Sequence, residues 1–174
     1  MEEGELMNIK YATTEDIAAI AAVEAECFPP AEAATEKEFI ERVKHYGNHF
    51  WLMYEAGKLI AFVDGFVTDE QNLTDEMYEK ASLHNENGAW QMIFGVNTLP
   101  EYRRNGYAGR LLRCAIDTAR KQGRKGVVLT CKEKLIHYYS GFGFVNEGIS
   151  TDSTHGNAVW YQMRLTFITG NDKF

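Results

Sequence analysis

Residues Ile93 to Ala119, IFGVNTLPEYRRNGYAGRLLRCAIDTA, place a strand, a glycine-bearing loop and a helix end to end. A β-branched and aromatic run passes through Pro100 and narrows into Arg103-Arg104-Asn105-Gly106-Tyr107-Ala108-Gly109. Ala108, Leu111, Leu112, Ala115, Ile116 and Ala119 then recur at the spacing of one helical face. A helix N-terminus carries unpaired N–H groups and the positive end of the helix dipole. Reached through such a loop, it is a ready site for an anion such as a pyrophosphate.

The rest of the chain supplies the elements around this segment. At 174 residues it reads as a single domain, residues 1–174, with a core from about residue 7 to residue 167. Residues 7–12 read as a first strand. Thr13 or Thr14 then caps a helix with Glu15 and Asp16 in its first turn and Ile17, Ile20, Val23 and Cys27 as its buried stripe. Phe28-Pro29-Pro30 ends it. Thr35 and Glu38 form a capping box for a second helix, with Phe39, Ile40 and Val43 inward.

Phe50–Tyr54 and Leu59–Val67 are separated by Glu55-Ala56-Gly57-Lys58 and predict an antiparallel hairpin. Residues 68–88 are acidic and irregular, with room for a short helix over Asp75–Leu83. Ala89–Thr98 reads as one central strand, and Gly123 stops the long helix that follows the loop. Gly126–Cys131 is apolar throughout, as a strand buried on both faces requires. A short helix over Glu133–Ser140 and strands entered at Phe142–Val145 and over Ala158–Phe167 complete the chain, with a turn at Asp152–Asn157. The expected fold is α/β (α+β): a mixed, mostly antiparallel sheet with helices on both faces, in the order β-α-α-β-β-β-α-β-α-β-β.

A formal charge of −7 argues against a nucleic-acid groove and suits a cationic substrate. Cys27, Cys114 and Cys131 are too scattered for a disulfide framework or a metal site, which fits a reducing cytoplasm. Glu2, Glu3 and Glu5 stand where a signal peptide would be positive, and no apolar run has membrane-spanning length. The expectation is a cytoplasmic protein with no membrane, nucleic-acid or metal partner. Exposed edge strands leave a homodimer open.

Arg103-Arg104-Asn105-Gly106-Tyr107-Ala108 resembles the Arg/Gln-x-x-Gly-x-Gly/Ala signature of the GNAT superfamily of N-acyltransferases. Tyr138-Tyr139-Ser140-Gly141-Phe142-Gly143-Phe144 matches that family's later tyrosine helix and its Gly-Phe approach to the next strand. Within the superfamily the chain is similar to the arylalkylamine (serotonin-type) N-acetyltransferase branch and its bacterial relatives. That likeness runs from Val128-Leu129-Thr130-Cys131 through Leu135-Ile136-His137-Tyr138-Tyr139, and includes Cys27-Phe28-Pro29 with Glu32-Ala33-Ala34.

The resemblance implies acetyl-CoA as cosubstrate and a small primary amine as acceptor, joined by direct attack in a ternary complex. It places the CoA pyrophosphate on Arg103, Arg104, Asn105, Gly106, Tyr107, Ala108 and Gly109, and the pantetheine arm along the backbone of Val96, Asn97 and Thr98. Tyr139 aligns with the general acid that protonates the departing thiolate. The strand histidines of the animal enzymes are missing from Trp90–Phe94, so a carboxylate acting through water is expected as base, with Glu32 in the amine-side loop as first choice. His45, His49, His84 and His155 are read as surface residues. Of the larger aromatics, Phe28, Trp51, Phe62, Phe66, Trp90, Phe94 and Trp160 are divided between pocket and core, mostly core. Two rivals remain: a protein or peptide N-acetyltransferase, and an acyl-CoA-binding module that has lost catalysis.

Overall fold

A computed structural model describes residues 7–168; Glu2, Glu3 and Glu5 fall outside them. Among the described residues nine strands form two sheets. β1 (Met7–Lys10), β2 (Phe50–Glu55), β3 (Lys58–Asp64) and β6 (Gly95–Thr98) make the first, in the order β1-β2-β3-β6. β4 (Val67–Thr68), β5 (Trp90–Ile93), β7 (Gly126–Cys131), β8 (Val145–Ile149) and β9 (Tyr161–Thr166) make the second, in the order β4-β5-β7-β9-β8. All pairs are antiparallel except β5 with β7.

The expected central strand over Ala89–Thr98 is two strands in the structure. It breaks at Phe94, so that β5 pairs with β7 while β6 pairs with β3. A matching break at Gly65 and Phe66 separates β3 from β4. The two sheets therefore part where β6 runs on past β7's partner strand. Breaking a ladder frees carbonyls that need donors. Gln91 supplies them: its amide nitrogen lies 3.0 Å from the Gly65 carbonyl, 3.2 Å from that of Phe66 and 2.8 Å from that of Met92. His49 in turn lies with Nδ1 2.9 Å from Gln91 Oε1 and Nε2 2.6 Å from Glu86. His49 is fully buried, not on the surface as the sequence suggests, because it braces this break.

Helices cover both faces. α1 (Ile17–Cys27) and α2 (Glu36–Tyr46) lie on one, with Ile17, Ile20, Phe39 and Tyr46 packed against Phe50, Phe62 and Phe66. A capping box on Thr13 and Asp16 opens a 3₁₀ turn ahead of α1, and the expected box on Thr35 and Glu38 opens α2. Ile40 departs from expectation: it is 47% exposed, because the inward stripe of α2 runs through Phe39, Arg42, Val43 and Tyr46. α3 (Asp75–Glu79) and a 3₁₀ turn at Ala81–Leu83 structure the acidic segment.

On the opposite face lies α4 (Tyr107–Lys121). Leu111, Leu112, Ala115, Ile116 and Ala119 are buried against Trp51, Met53, Ile60 and Val127. The periodic stripe of α4 thus does what its spacing predicts, apart from Ala108, which is only half-buried. The helix after β7 begins with a 3₁₀ turn at Glu133–Leu135 and continues as α5 (Ile136–Ser140). No helix among the described residues is long and apolar enough to cross a membrane.

Candidate acetyl-CoA site

Where the sheets part, a cavity of about 660 Å³ opens between β6 and β7. One end is the loop before α4. Gly106 is the N-cap residue, with φ of 75°, and offers no side chain to cap the first-turn amides. The first bond of the helix joins Arg110 N–H to the Gly106 carbonyl, so the amides of Tyr107, Ala108 and Gly109 have no acceptor within the helix. A Cβ on Gly106 would meet no protein atom within 4 Å; the residue faces open space. A side chain there would be strained by the left-handed backbone and would crowd whatever sits on the amides.

Arg104 also has positive φ, at 68°, and the Asn105 side chain donates to the Tyr102 carbonyl at 3.0 Å, which pins the turn. Arg103 Nε donates to the Thr98 carbonyl at 3.1 Å, tying the loop to the end of β6. Arg103, Arg104, Gly106, Tyr107, Ala108 and Gly109 all line the cavity. Of the three expected strand residues, Val96 and Thr98 line it, while Asn97 is fully buried. β6 pairs with β3 along one edge and leaves its other edge toward the cavity.

Tyr139, on α5, is buried and lines the same cavity. Burial, with Tyr138, Cys131 and Tyr78 close by, pushes its phenol well above the ordinary tyrosine range. It therefore stays protonated and keeps an O–H to donate. Tyr138 is more exposed than a core residue, at 43%, and packs edge-on to Tyr139 and Phe142. Cys131 is buried at the end of β7, and burial pushes its thiol up to about 11. It lines the cavity as a thiol rather than a thiolate near neutrality.

Aromatic side chains line the far end. Phe28, Phe94 and Trp160 face the cavity, whereas Trp51, Phe62, Phe66 and Trp90 are core. Glu32 also lines it, almost fully buried, and its two oxygens lie 2.8 and 3.1 Å from Lys132 Nζ. Lys132 sits over the Trp160 ring. His155 is another wall residue rather than a surface one. Its Nε2 donates to the Glu32 carbonyl at 2.6 Å, and its ring stacks on Tyr78. That contact joins the β8–β9 loop to the α1–α2 loop and roofs this end. Asp75 anchors the same loop, accepting from Ser153 Oγ at 3.1 Å and from Thr154 N–H at 2.9 Å.

Beside Phe94 lies a buried polar cluster that the sequence reading passes over. Glu24 and Arg42 reach the cavity wall; Asp64 and Asn97 are fully buried behind it. Arg42 Nη1 donates to Asp64 Oδ2 at 3.1 Å and Nη2 to the Tyr78 carbonyl at 3.2 Å. Burial first, and then repulsion from Asp64, pushes Glu24 up to about 7. The signal was present in α1: Glu24 follows Ile20 by four residues and Ile17 by seven, and so lies on the buried face.

A left-handed loop on a helix N-terminus, a parted sheet and a buried tyrosine across the gap thus line one cavity. The sequence profile of the Acetyltransferase (GNAT) family matches residues 17–144, and the chain belongs to that family. The fold is the α+β GNAT fold, and the family's reaction is acetyl transfer from acetyl-CoA. Similar structures include the loading GNATL domain of CurA from Lyngbya majuscula, at 16% identity and a TM-score of 0.79, covering 92% of this chain and 97% of that one. The ribosomal-protein-S18-alanine N-acetyltransferase from Escherichia coli is similar at 21% identity and a TM-score of 0.69, covering 97% and 99%. A GNAT family acetyltransferase from Brucella melitensis in complex with acetyl-CoA matches at 20% identity and a TM-score of 0.59, covering 94% and 89%.

Proposed function

We propose that this chain acetylates a small primary amine with an aromatic or alkyl body, by direct attack of the amine on acetyl-CoA. The observation that carries the acceptor class is the roof. His155 against Glu32 links the β8–β9 and α1–α2 loops beside the aromatic end of the cavity, an arrangement that favours a small molecule over an extended peptide.

In this reading the free amides of α4's first turn, with Arg103 and Arg104, hold the pyrophosphate. The open edge of β6 at Val96 and Thr98 takes the pantetheine amides, and the buried Asn97 side chain takes no part in holding that arm. Tyr139 gives a proton to the departing sulfur. A phenol held above its usual range is a weaker acid, so its contribution is a fixed O–H aimed at the developing thiolate, not a low pKa. Glu32 orders Lys132 and the roof around the acceptor, and Phe28, Phe94 and Trp160 offer an apolar wall that supports the arylalkylamine-type reading.

Release of CoA thiol should be followed with acetyl-CoA and a panel of tyramine, tryptamine, phenethylamine and spermidine, beside short peptides with free N-termini. The expected result is amine-dependent thiol release, fastest with an arylalkylamine. Turnover of peptides alone would move the acceptor to the protein class. Binding of acetyl-CoA with no turnover of any acceptor would favour a module without catalysis.

A further inference from the structure

Glu24 and Asp64 face one buried guanidinium between them. Arg42 pairs with Asp64 through Oδ2, and Glu24 Oε2 accepts the Ala34 N–H at 2.9 Å. The other oxygen of each carboxylate, Glu24 Oε1 and Asp64 Oδ1, has no hydrogen-bond partner, and neither does either side-chain amide atom of Asn97. These atoms converge. A Cβ built on Gly95 would lie 2.8 Å from Asn97 Nδ2, 3.1 Å from Asp64 Oδ1 and 3.6 Å from Glu24 Oε1. Only a glycine leaves that point open, and Gly95 itself lines the cavity.

Buried polar atoms without partners are costly, and three of them gathered beside Gly95 suit a bridging water molecule. One arginine also balances only one of two buried carboxylates. Asp64 is the one it holds, so the second, Glu24, is left to exchange a proton with the cavity.

Resting on the acetyltransfer reading above, we propose that Glu24 accepts the proton of the acceptor ammonium through a water seated against Gly95, with Asp64, Arg42 and Asn97 positioning that water. The protons balance. Of the ammonium's three, one passes to Glu24 and one stays on the amide nitrogen. The third replaces the proton that Tyr139 gives to sulfur, as the N–C bond forms and the C–S bond breaks. Glu32 is a poorer acceptor because both its oxygens hold Lys132.

The groups facing Glu24 are Asp64 from β3 and Arg42 from α2, with Cys27 on its own helix; β6 presents only the uncharged Asn97. Burial dominates and Asp64 adds to it, while the Ala34 N–H, Arg42 and the nearby Asn97 amide oppose. The balance lets Glu24 be ionised, and so receptive, above neutrality.

The test is Glu24→Gln, which keeps shape and burial. With the best amine of the panel, wild-type kcat/KM should rise with pH through an inflection near 7. Glu24→Gln should lose that inflection and at least about tenfold in rate, with acetyl-CoA affinity unchanged. Aniline, already neutral at the assay pH, should recover most of the variant's lost rate. A variant within about twofold of wild type that keeps the inflection would overturn the proposal. So would an inflection that survives in Glu24→Gln and vanishes in His155→Gln. Carbon NMR of the CoA complex labelled at glutamate carboxyls judges Glu24 without an acceptor. A resonance titrating near neutrality in the wild type and missing from the variant supports the assignment; one titrating below about 5 overturns it. If no amine is acetylated, the acceptor reading fails, and the titration alone decides whether Glu24 is a neutral-range proton acceptor.

Discussion

The carboxylates of Glu24 and Asp64 meet at one face of Gly95, the first reaching it from α1 and the second from β3. Their approach is forced by the break at Phe94, where the sheets part and the chain needs a residue without a side chain. The same break opens the cavity and exposes Glu24 to it. In the proposed reaction one backbone irregularity thus serves both halves.

That meeting of charges shapes stability. Glu24 holds its proton up to about 7 in the folded protein, while an unfolded glutamate releases it near 4.5. Between those values the native state binds more protons than the unfolded state, so stability is lost as pH rises. The lost stability is on the order of 3 kcal/mol at most. Asp64, held up to about 6, acts in the same sense at lower pH. Urea unfolding between pH 4.5 and 7 should show wild-type stability falling more steeply than that of Glu24→Gln, which keeps only the fall due to Asp64 up to about 6. Equal slopes would contradict the buried charge.

Glu32 and Glu24 are separated by their variants. Glu32→Gln breaks a part-exposed pair with Lys132, which contributes little to stability. The expected effect is a KM for the amine raised a few-fold, with kcat within about threefold of wild type. Steady-state kinetics over pH decide the matter. Loss of the neutral inflection in Glu32→Gln would put the base in the α1–α2 loop after all.

Tyr139→Phe should bind acetyl-CoA as wild type does and turn over at least about tenfold more slowly. Because burial holds the phenol above its usual range, the wild-type rate should not decline on the alkaline side before about pH 9. Full turnover by the phenylalanine variant would remove Tyr139 from the chemistry.

What the sequence made legible was local. α4 could be read from its apolar spacing, the starts of α1 and α2 from capping residues, and the β2–β3 hairpin from Ala56 and Gly57, both at positive φ. The glycine turn before α4 could be read because it lies within one short segment. The polar cluster could not be, since Glu24, Arg42, Asp64 and Asn97 come from four elements that only the tertiary fold brings together. The break at Phe94 leaves no mark in a run whose residues all suit strands. His49 looked like any loop histidine until Gln91 needed a partner.

The central claim is that acetyl-CoA binds in the parted sheet with its pyrophosphate on the first turn of α4. Calorimetric titration of acetyl-CoA into wild type and Gly106→Asp tests it most directly, with circular dichroism to confirm that both are folded. One-to-one binding by the wild type is expected, with a loss of at least about tenfold in affinity when a side chain and a negative charge enter the loop at Gly106. Equal affinity in the two proteins, or no binding by the wild type, would contradict it.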